Sequence, residues 1–263
     1  MTAFTLSLIY TIASIGLSVS GMFWVRKRFK SSDLKLDHDV TSALIAVMGT
    51  LYAIVLGLVV VDALNHREAA ENMESQEASA LATVMHLART LPVSQGRPIM
   101  QAELDYCRAA IDKEWPTLTN GTAPETTTVK AFGELWERVG AFEPKTNRET
   151  NLHACMLAAV TDFSNARRYR IVSCKHGLPF LLWVILIMGG VCTITFTYFF
   201  GADRFRLQAV MTGIVAFMLC LNILLVFFYG RPYRGDLHIT PNSLEHVRTV
   251  LEQAPVLNNS QTE

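Results

Sequence analysis

Charge is what this sequence has least of. Of its 263 residues only 17% are charged and 51% are hydrophobic, whereas soluble domains carry about 25% charged residues. Lys plus Arg and Asp plus Glu balance at 23 each, so no net field recommends nucleic acid as a partner. Cysteine is sparse and scattered: Cys107, Cys155, Cys174, Cys192 and Cys220 are odd in number and form no CxxC pair. That pattern indicates neither a disulfide framework nor a zinc site. The seven histidines are dispersed with no HExxH, and no glycine-rich loop is present to cradle a phosphate. Without a catalytic constellation, neither an enzyme nor a bound cofactor or metal is expected. Strand-like alternation of any length is missing as well.

Long apolar runs are what the sequence has instead. Four of them, roughly 3–25, 40–64, 178–200 and 207–229, approach or exceed the ~20 residues that carry a helix across a bilayer. Each is nearly free of charge, Asp62 being the clearest exception. No Lys or Arg precedes the first run and "RKRFK" follows it, the reverse of a cleaved secretory signal. A retained span is expected there. The chain therefore reads as an all-α membrane protein with its spans in two pairs and a helical soluble domain inserted between the second and third. Residues 1–40 hold the first span and a basic linker, 41–64 the second span, 65–177 the soluble domain, 178–229 the third and fourth spans, and 230–263 a tail with a short helix.

Within the soluble part, Ala70, Met73, Ala80, Leu81, Val84, Met85 and Ala88 recur at helical steps. Nothing breaks the chain from Thr41 to Leu91, so one unbroken helix is expected across the second span and well beyond it. Pro92 stops it. A second helix is expected over 98–115, Pro98 opening it and Pro116 ending it; a third over 129–139; and a fourth from about Glu149 that continues through "RRYRIVSCKH". The positive-inside rule sets Arg26, Lys27, Arg28, Lys30 and Lys35 after the first span against none before it. This favours an extracytoplasmic soluble domain, although Arg167, Arg168, Arg170, Lys175, Arg231 and Arg234 flank the later spans on the domain side.

Several stretches carry a resemblance. "LYAIVLGLVVVDALNHREAAENMESQEASAL" is a glycine-bearing apolar run leading into a Glu-Ala helix; "LDYCRAAIDKEWPTLTNG" places a Tyr ahead of Glu-Trp; "RRYRIVSCKHGLPFLLWVIL" and "YFFG" bracket the third span; "RPYRGDLHITPNSLEHV" has an Arg-Pro-aromatic-x-Gly pattern. Taken together, and in this order from about Thr41 onward, they resemble the bestrophin-like family of bacterial membrane proteins, a domain of unknown function distantly related to bestrophins. Bestrophins are pentameric helical chloride channels whose second helix lines the pore. The resemblance thus implies a homo-oligomer, pentameric by analogy, in a bacterial plasma membrane, with the lipid bilayer and inorganic ions as partners. It also implies a cytosolic domain, against the charge argument from the first span.

Candidate sites follow, each with a plainer alternative. Asp62 is a carboxylate at the hydrocarbon edge, either a ring at a pore mouth or an interfacial residue reaching water, His66 or Arg67. Gly49 and Gly57 either widen a pore or permit close helix packing, and Asn65 sits at the same mouth. Thr193, Thr195 and Thr197 are expected to bond to their own helix, and Asn222 to a neighbouring one. Glu68, Glu71, Glu74 and Glu77 are expected to form a solvated surface, except that Glu77 falls on the apolar stripe and needs a partner, such as an arginine of "RRYR". Glu114 with Trp115 reads as helix-end packing. Arg231, Pro232, Gly235 and Asp236 form a turn after the last span that tethers the tail, with Thr240 and Pro241 as N-cap and first residue of its helix. The favoured function is an oligomeric ion channel whose pore is lined by the second span and its soluble extension. The alternative is a non-conducting sensor or scaffold whose helical domain binds a ligand or a protein.

Overall fold

The structure, a computed structural model, describes residues 3–28, 38–120, 125–175, 177–199 and 204–254. Lys30 and Lys35 of the basic linker lie outside these residues. The described residues contain helices and no strand, and four helices are long and apolar enough to cross a membrane. The elements are α1 (Ala3–Arg28), α2 (His38–Arg89), α3 (Val93–Ala109), a π-helical turn (Ala110–Glu114), α4 (Trp115–Thr119), α5 (Thr126–Gly140), α6 (Asn147–Lys175), α7 (Phe180–Tyr198), α8 (Phe205–Tyr229) and α9 (Asn242–Glu252).

Two compact units result: Met1–Arg67 with Leu178–Arg231, and Glu68–Gly177 with Pro232–Glu263. The first is the membrane unit. In it α1 packs on α7 and α8, and α7 packs on α8. The span of α2 is fixed to α7 by one aromatic residue. The ring of Tyr52 lies against Gly189 and Gly190, where a Cβ at Gly189 would collide with it, and its hydroxyl donates to the Leu186 carbonyl at 2.8 Å. Leu56, Val59, Leu186 and Val226 close the cluster around it. Thr193, Thr195 and Thr197 bond to carbonyls of their own helix, at Gly189, Val191 and Ile194, as their sequence context suggests. Asn222 departs from its expectation. Its amide donates to the Met218 carbonyl one turn back in α8, the nearest acceptor for a short side chain inside a helix.

The second unit is a helical bundle with an apolar core that includes Leu81, Val84, Tyr106, Leu135, Val160 and Phe163. Its helix ends differ from the sequence reading in several places. α3 starts at Val93, and Pro98 lies inside it, because Pro92 already supplies the turn and its carbonyl accepts from Gln95 and Gly96. Gly96 is required there: a Cβ would run into the Ala88 carbonyl. Pro116 does not end the helix. The turn ahead of it widens to π geometry, with the Trp115 N–H reaching back five residues to the Ala110 carbonyl, which spares the ring its clash with the carbonyl four residues earlier. α9 begins at Asn242, one residue later than expected, and its N-cap position is Pro241.

Candidate functional site

Two places hold the residues singled out from the sequence, one in each unit. On the membrane unit it is the open side of α2. Tyr52, Leu56, Val59 and Ala63 turn inward and are buried, so helical geometry sends Leu51, Ile54 and Leu58 outward, with exposures of 58%, 57% and 67%. Asp62 and Asn65 are exposed on the continuation of that side. Arg67 lies over the Tyr229 ring at 5.2 Å. Gly57 is exposed, Gly49 is half-buried, and neither meets an atom of the chain within 4 Å of an added Cβ. At ~100° per residue, Asp62 and Asn65 stand ~60° apart, whereas the four candidates together spread over ~220° of the helix. The polar pair shares a stripe with Leu51 and Leu58; Gly49 lies off it.

In the soluble unit the structure gathers residues that the sequence scatters over nearly a hundred positions. Glu77, Tyr106, Glu114 and Arg170 are fully buried. Arg170 donates from Nε to Glu77 Oε2 at 2.7 Å and from Nη2 to Glu77 Oε1 at 3.0 Å. The Tyr106 hydroxyl also donates to Glu77 Oε1. Arg170 Nη2 stands 3.0 Å from Glu114 Oε1, and Arg167 Nη2 donates to Glu114 Oε2 at 2.8 Å. The Arg170 guanidinium covers the Trp115 ring at 4.7 Å and that of Arg167 covers Phe132 at 5.0 Å. Two carboxylates thus meet two guanidiniums at no net charge. Burial alone would disfavour the charge on Arg170, but Glu77, Tyr106 and Glu114 outweigh it and hold the group above its ordinary range. Burial first, then Glu77, pushes the Tyr106 hydroxyl well up.

The partner foreseen for Glu77 is therefore present in Arg170, the last residue of "RRYR". Glu114 corrects its reading. It is no helix-end feature; the π-helical turn aims it at both arginines. The glutamate row corrects too. Glu68 and Glu71 are exposed, but Glu74 is buried, and its Oε1 accepts the N–H groups of Ser243 and Leu244 at 2.9 and 3.3 Å. Glu74 thereby caps α9 from another helix, in place of Thr240. The tail motif divides. Arg231 is exposed over the Phe227 ring at 5.0 Å. Pro232 and Tyr233 are buried in the soluble unit, where the Tyr233 hydroxyl donates to the Ala70 carbonyl. Gly235 takes a positive φ of 81°, which favours glycine, and Asp236 is exposed. Trp115 donates its indole N–H to the Ile239 carbonyl at 2.8 Å, a further tie to this segment.

One residue went unnoticed in the sequence. Glu103 is fully buried with neither carboxylate oxygen hydrogen-bonded, and burial drives its pKa well up, only partly offset by Arg89. Its signal was available: it stands four residues from both Ile99 and Cys107, on the buried side of α3. Among the described residues no three His, Cys, Asp or Glu side chains gather as a metal site. The buried cluster ties Glu77, Tyr106 and Glu114 to Arg167 and Arg170 of α6.

A multi-pass helical membrane protein with an inserted helical unit is the class these features define. The model of the bestrophin-like domain matches residues 12–244, and the chain belongs to the bestrophin-like family. No curated protein matches the sequence. Solved structures do match in fold. A bacterial bestrophin homolog from Klebsiella pneumoniae, as a leucine-to-threonine variant, is 13% identical with a TM-score of 0.71 over 92% of this chain and 97% of that one. Another structure of a Klebsiella pneumoniae bestrophin homolog is 13% identical with a TM-score of 0.68, over 93% and 99%.

Proposed function

We propose that copies of this chain assemble around an axis as an ion channel, with α2 lining the pore. The observation that carries this reading is α2 itself. It is one unbroken helix of 52 residues, about 78 Å at ~1.5 Å per residue, against ~30 Å of hydrocarbon. It leaves one stripe of its membrane part uncovered by its own chain. A ring of such helices would give an apolar constriction at Leu51, Ile54 and Leu58, followed by a polar ring of Asp62 and Asn65, with Gly49 and Gly57 thinning the flanks. Carboxylates at such a mouth favour cations and repel anions. A pentamer is the expected ring size by family likeness, and inorganic ions are the permeant species.

The protein is placed in a bacterial plasma membrane with its soluble unit outside. The short segments on the other face carry Arg26, Lys27, Arg28, Arg204 and Arg206, and basic residues in short loops hold that face to the cytoplasm. The test is a reversal-potential measurement on reconstituted protein under a KCl gradient. Wild type is expected to prefer cations, and Asp62→Arg to shift the reversal potential towards that of chloride. Equal reversal potentials in the two proteins would remove Asp62 from the pore.

A further inference from the structure

Part of the membrane unit's surface is hollow. Between α1, α7 and α8 an open crevice of about 370 Å³ runs from Tyr10 to Gly21 along α1 and from Ile187 to Tyr198 along α7. At ~1.5 Å per residue that is about 17 Å, close to half of a ~30 Å hydrocarbon core. Ser18, Ala216 and Cys220 belong to its buried floor, and Leu17, Ile187 and Val191 to its exposed rim. Two of its hydroxyls are taken up by their own helices. Ser18 donates to the Ser14 carbonyl at 2.7 Å, and Thr195 to the Val191 carbonyl at 2.7 Å. The lining offered to a ligand is mostly apolar. At the Gly21 end the Tyr198 ring stands against α1, where a Cβ on Gly21 would meet its hydroxyl. Charge begins within two turns of that point. Arg26, Lys27 and Arg28 fill the last turn of α1, and Arg204 and Arg206 flank the start of α8; the one acid in these two stretches is Asp203. Phe205 joins the two helix ends, edge-on to Phe23 with centroids 6.2 Å apart and 5.7 Å from the Arg26 guanidinium. Lys27 and Arg206 are exposed there, as is Trp24, an aromatic type that settles at headgroup level.

We infer that this crevice and its basic end bind an anionic phospholipid, with an acyl chain in the crevice and the headgroup phosphate on the side of Lys27 and Arg206. The hollow lies among helices long and apolar enough to cross a membrane, so hydrocarbon is what bathes it. Its length is that of a chain reaching through one leaflet. Positive charge gathers at the end where such a chain joins its phosphate, and lysine and arginine bind phosphate oxygens through charge-assisted hydrogen bonds. A transmembrane helix of another copy would match the apolar length but leave the basic end without a counterpart. The inference is independent of whether the protein conducts.

The test is native mass spectrometry of the intact protein, delipidated in mild detergent and offered dioleoyl phosphatidylglycerol or dioleoyl phosphatidylcholine at equal concentration. Each basic residue near an anionic lipid is worth a several-fold change in binding. Wild type is therefore expected to bind phosphatidylglycerol roughly tenfold tighter than phosphatidylcholine, and Lys27→Gln with Arg206→Gln to lower it to the phosphatidylcholine level. Val191→Trp, altered at the exposed rim, is expected to fill the crevice and weaken binding of both lipids, with unchanged circular dichroism as the control for folding. The charge variant, altered at two exposed positions, decides the question even if Val191→Trp fails to fold. Equal binding of the two lipids by wild type, or unchanged phosphatidylglycerol binding in either folded variant, overturns the site. So does a wild-type protein that retains neither lipid, the result expected where a helix of a second copy fills the crevice. Current is not the readout, so a silent protein that binds phosphatidylglycerol keeps the lipid site and loses the channel, and a conducting protein that binds neither lipid does the reverse.

Discussion

Glu77 and Arg170 show what a buried charge requires in this fold. Each is fully out of water, and each is held by the other and by Tyr106. Removing one partner of such a pair typically costs about 3–5 kcal/mol, because the survivor is left uncompensated, whereas replacing both with apolar residues is often neutral. Arg170→Ala is therefore expected to destabilise the protein by roughly that amount, and the double change Glu77→Leu with Arg170→Met by far less. Urea denaturation followed by tryptophan fluorescence measures both. A double variant no better than the single one would show that the pair contributes net stability. Glu103 gives a pH-dependent counterpart. Its folded pKa lies above its unfolded one, so the unfolded chain gives up its proton first. Stability is then lost as pH rises from about 4.3, the unfolded glutamate value, towards the folded pKa, at a slope approaching ~1.4 kcal/mol per unit. Glu103→Gln should abolish this part of the slope, matching wild type near pH 4 and exceeding it at pH 7. A variant less stable than wild type at pH 7 would mean that the carboxylate is charged and held. Glu77 is legible in the sequence because a charge interrupts an apolar stripe; Glu103 obeys the same rule between Ile99 and Cys107, inside the helix expected over 98–115.

At the scale of elements, helix existence followed from periodicity, while proline positions misled. Pro98 and Pro116 read as boundaries in the sequence, and each is absorbed: one because Pro92 already starts α3, the other because a π turn opens in front of it. Neither compensation has a local sequence signal. The cap of α9 was equally hidden, since its acceptor, Glu74, lies 169 residues from Ser243. Glu74→Ala should cost about 1 kcal/mol, the ordinary worth of a lost N-cap, and should raise hydrogen exchange in the first turn of α9 above that of α6. Unchanged exchange there would indicate that the flanking ion pairs Arg108–Glu252 and Arg248–Asp112 hold the helix unaided. Gly189 is the membrane unit's counterpart. Gly189→Val would displace the Tyr52 ring, and overpacking of this kind costs about 1–3 kcal/mol. Tyr52→Leu, which removes the ring, should relieve most of that penalty in the double variant, as read by thermal melting in detergent.

For the whole molecule, the four spans, the inserted helical unit and the family were legible from apolar runs and a handful of motifs, because the bilayer imposes length and composition on any helix that crosses it. The open stripe of α2 was only half legible. Asp62 announced itself as a charge at the end of an apolar run, but the side it shares with Leu51, Leu58 and Asn65 emerged once Tyr52 and Val59 were seen to face inward. The proposed channel depends on what fills the other side of that stripe. The direct measurement is current through planar bilayers containing the purified wild-type protein, under symmetric and asymmetric salt and across pH. Unitary steps with cation preference, altered by Asp62→Asn, are expected; a silent bilayer under every gradient, from protein shown to be inserted and folded, would contradict a pore along α2.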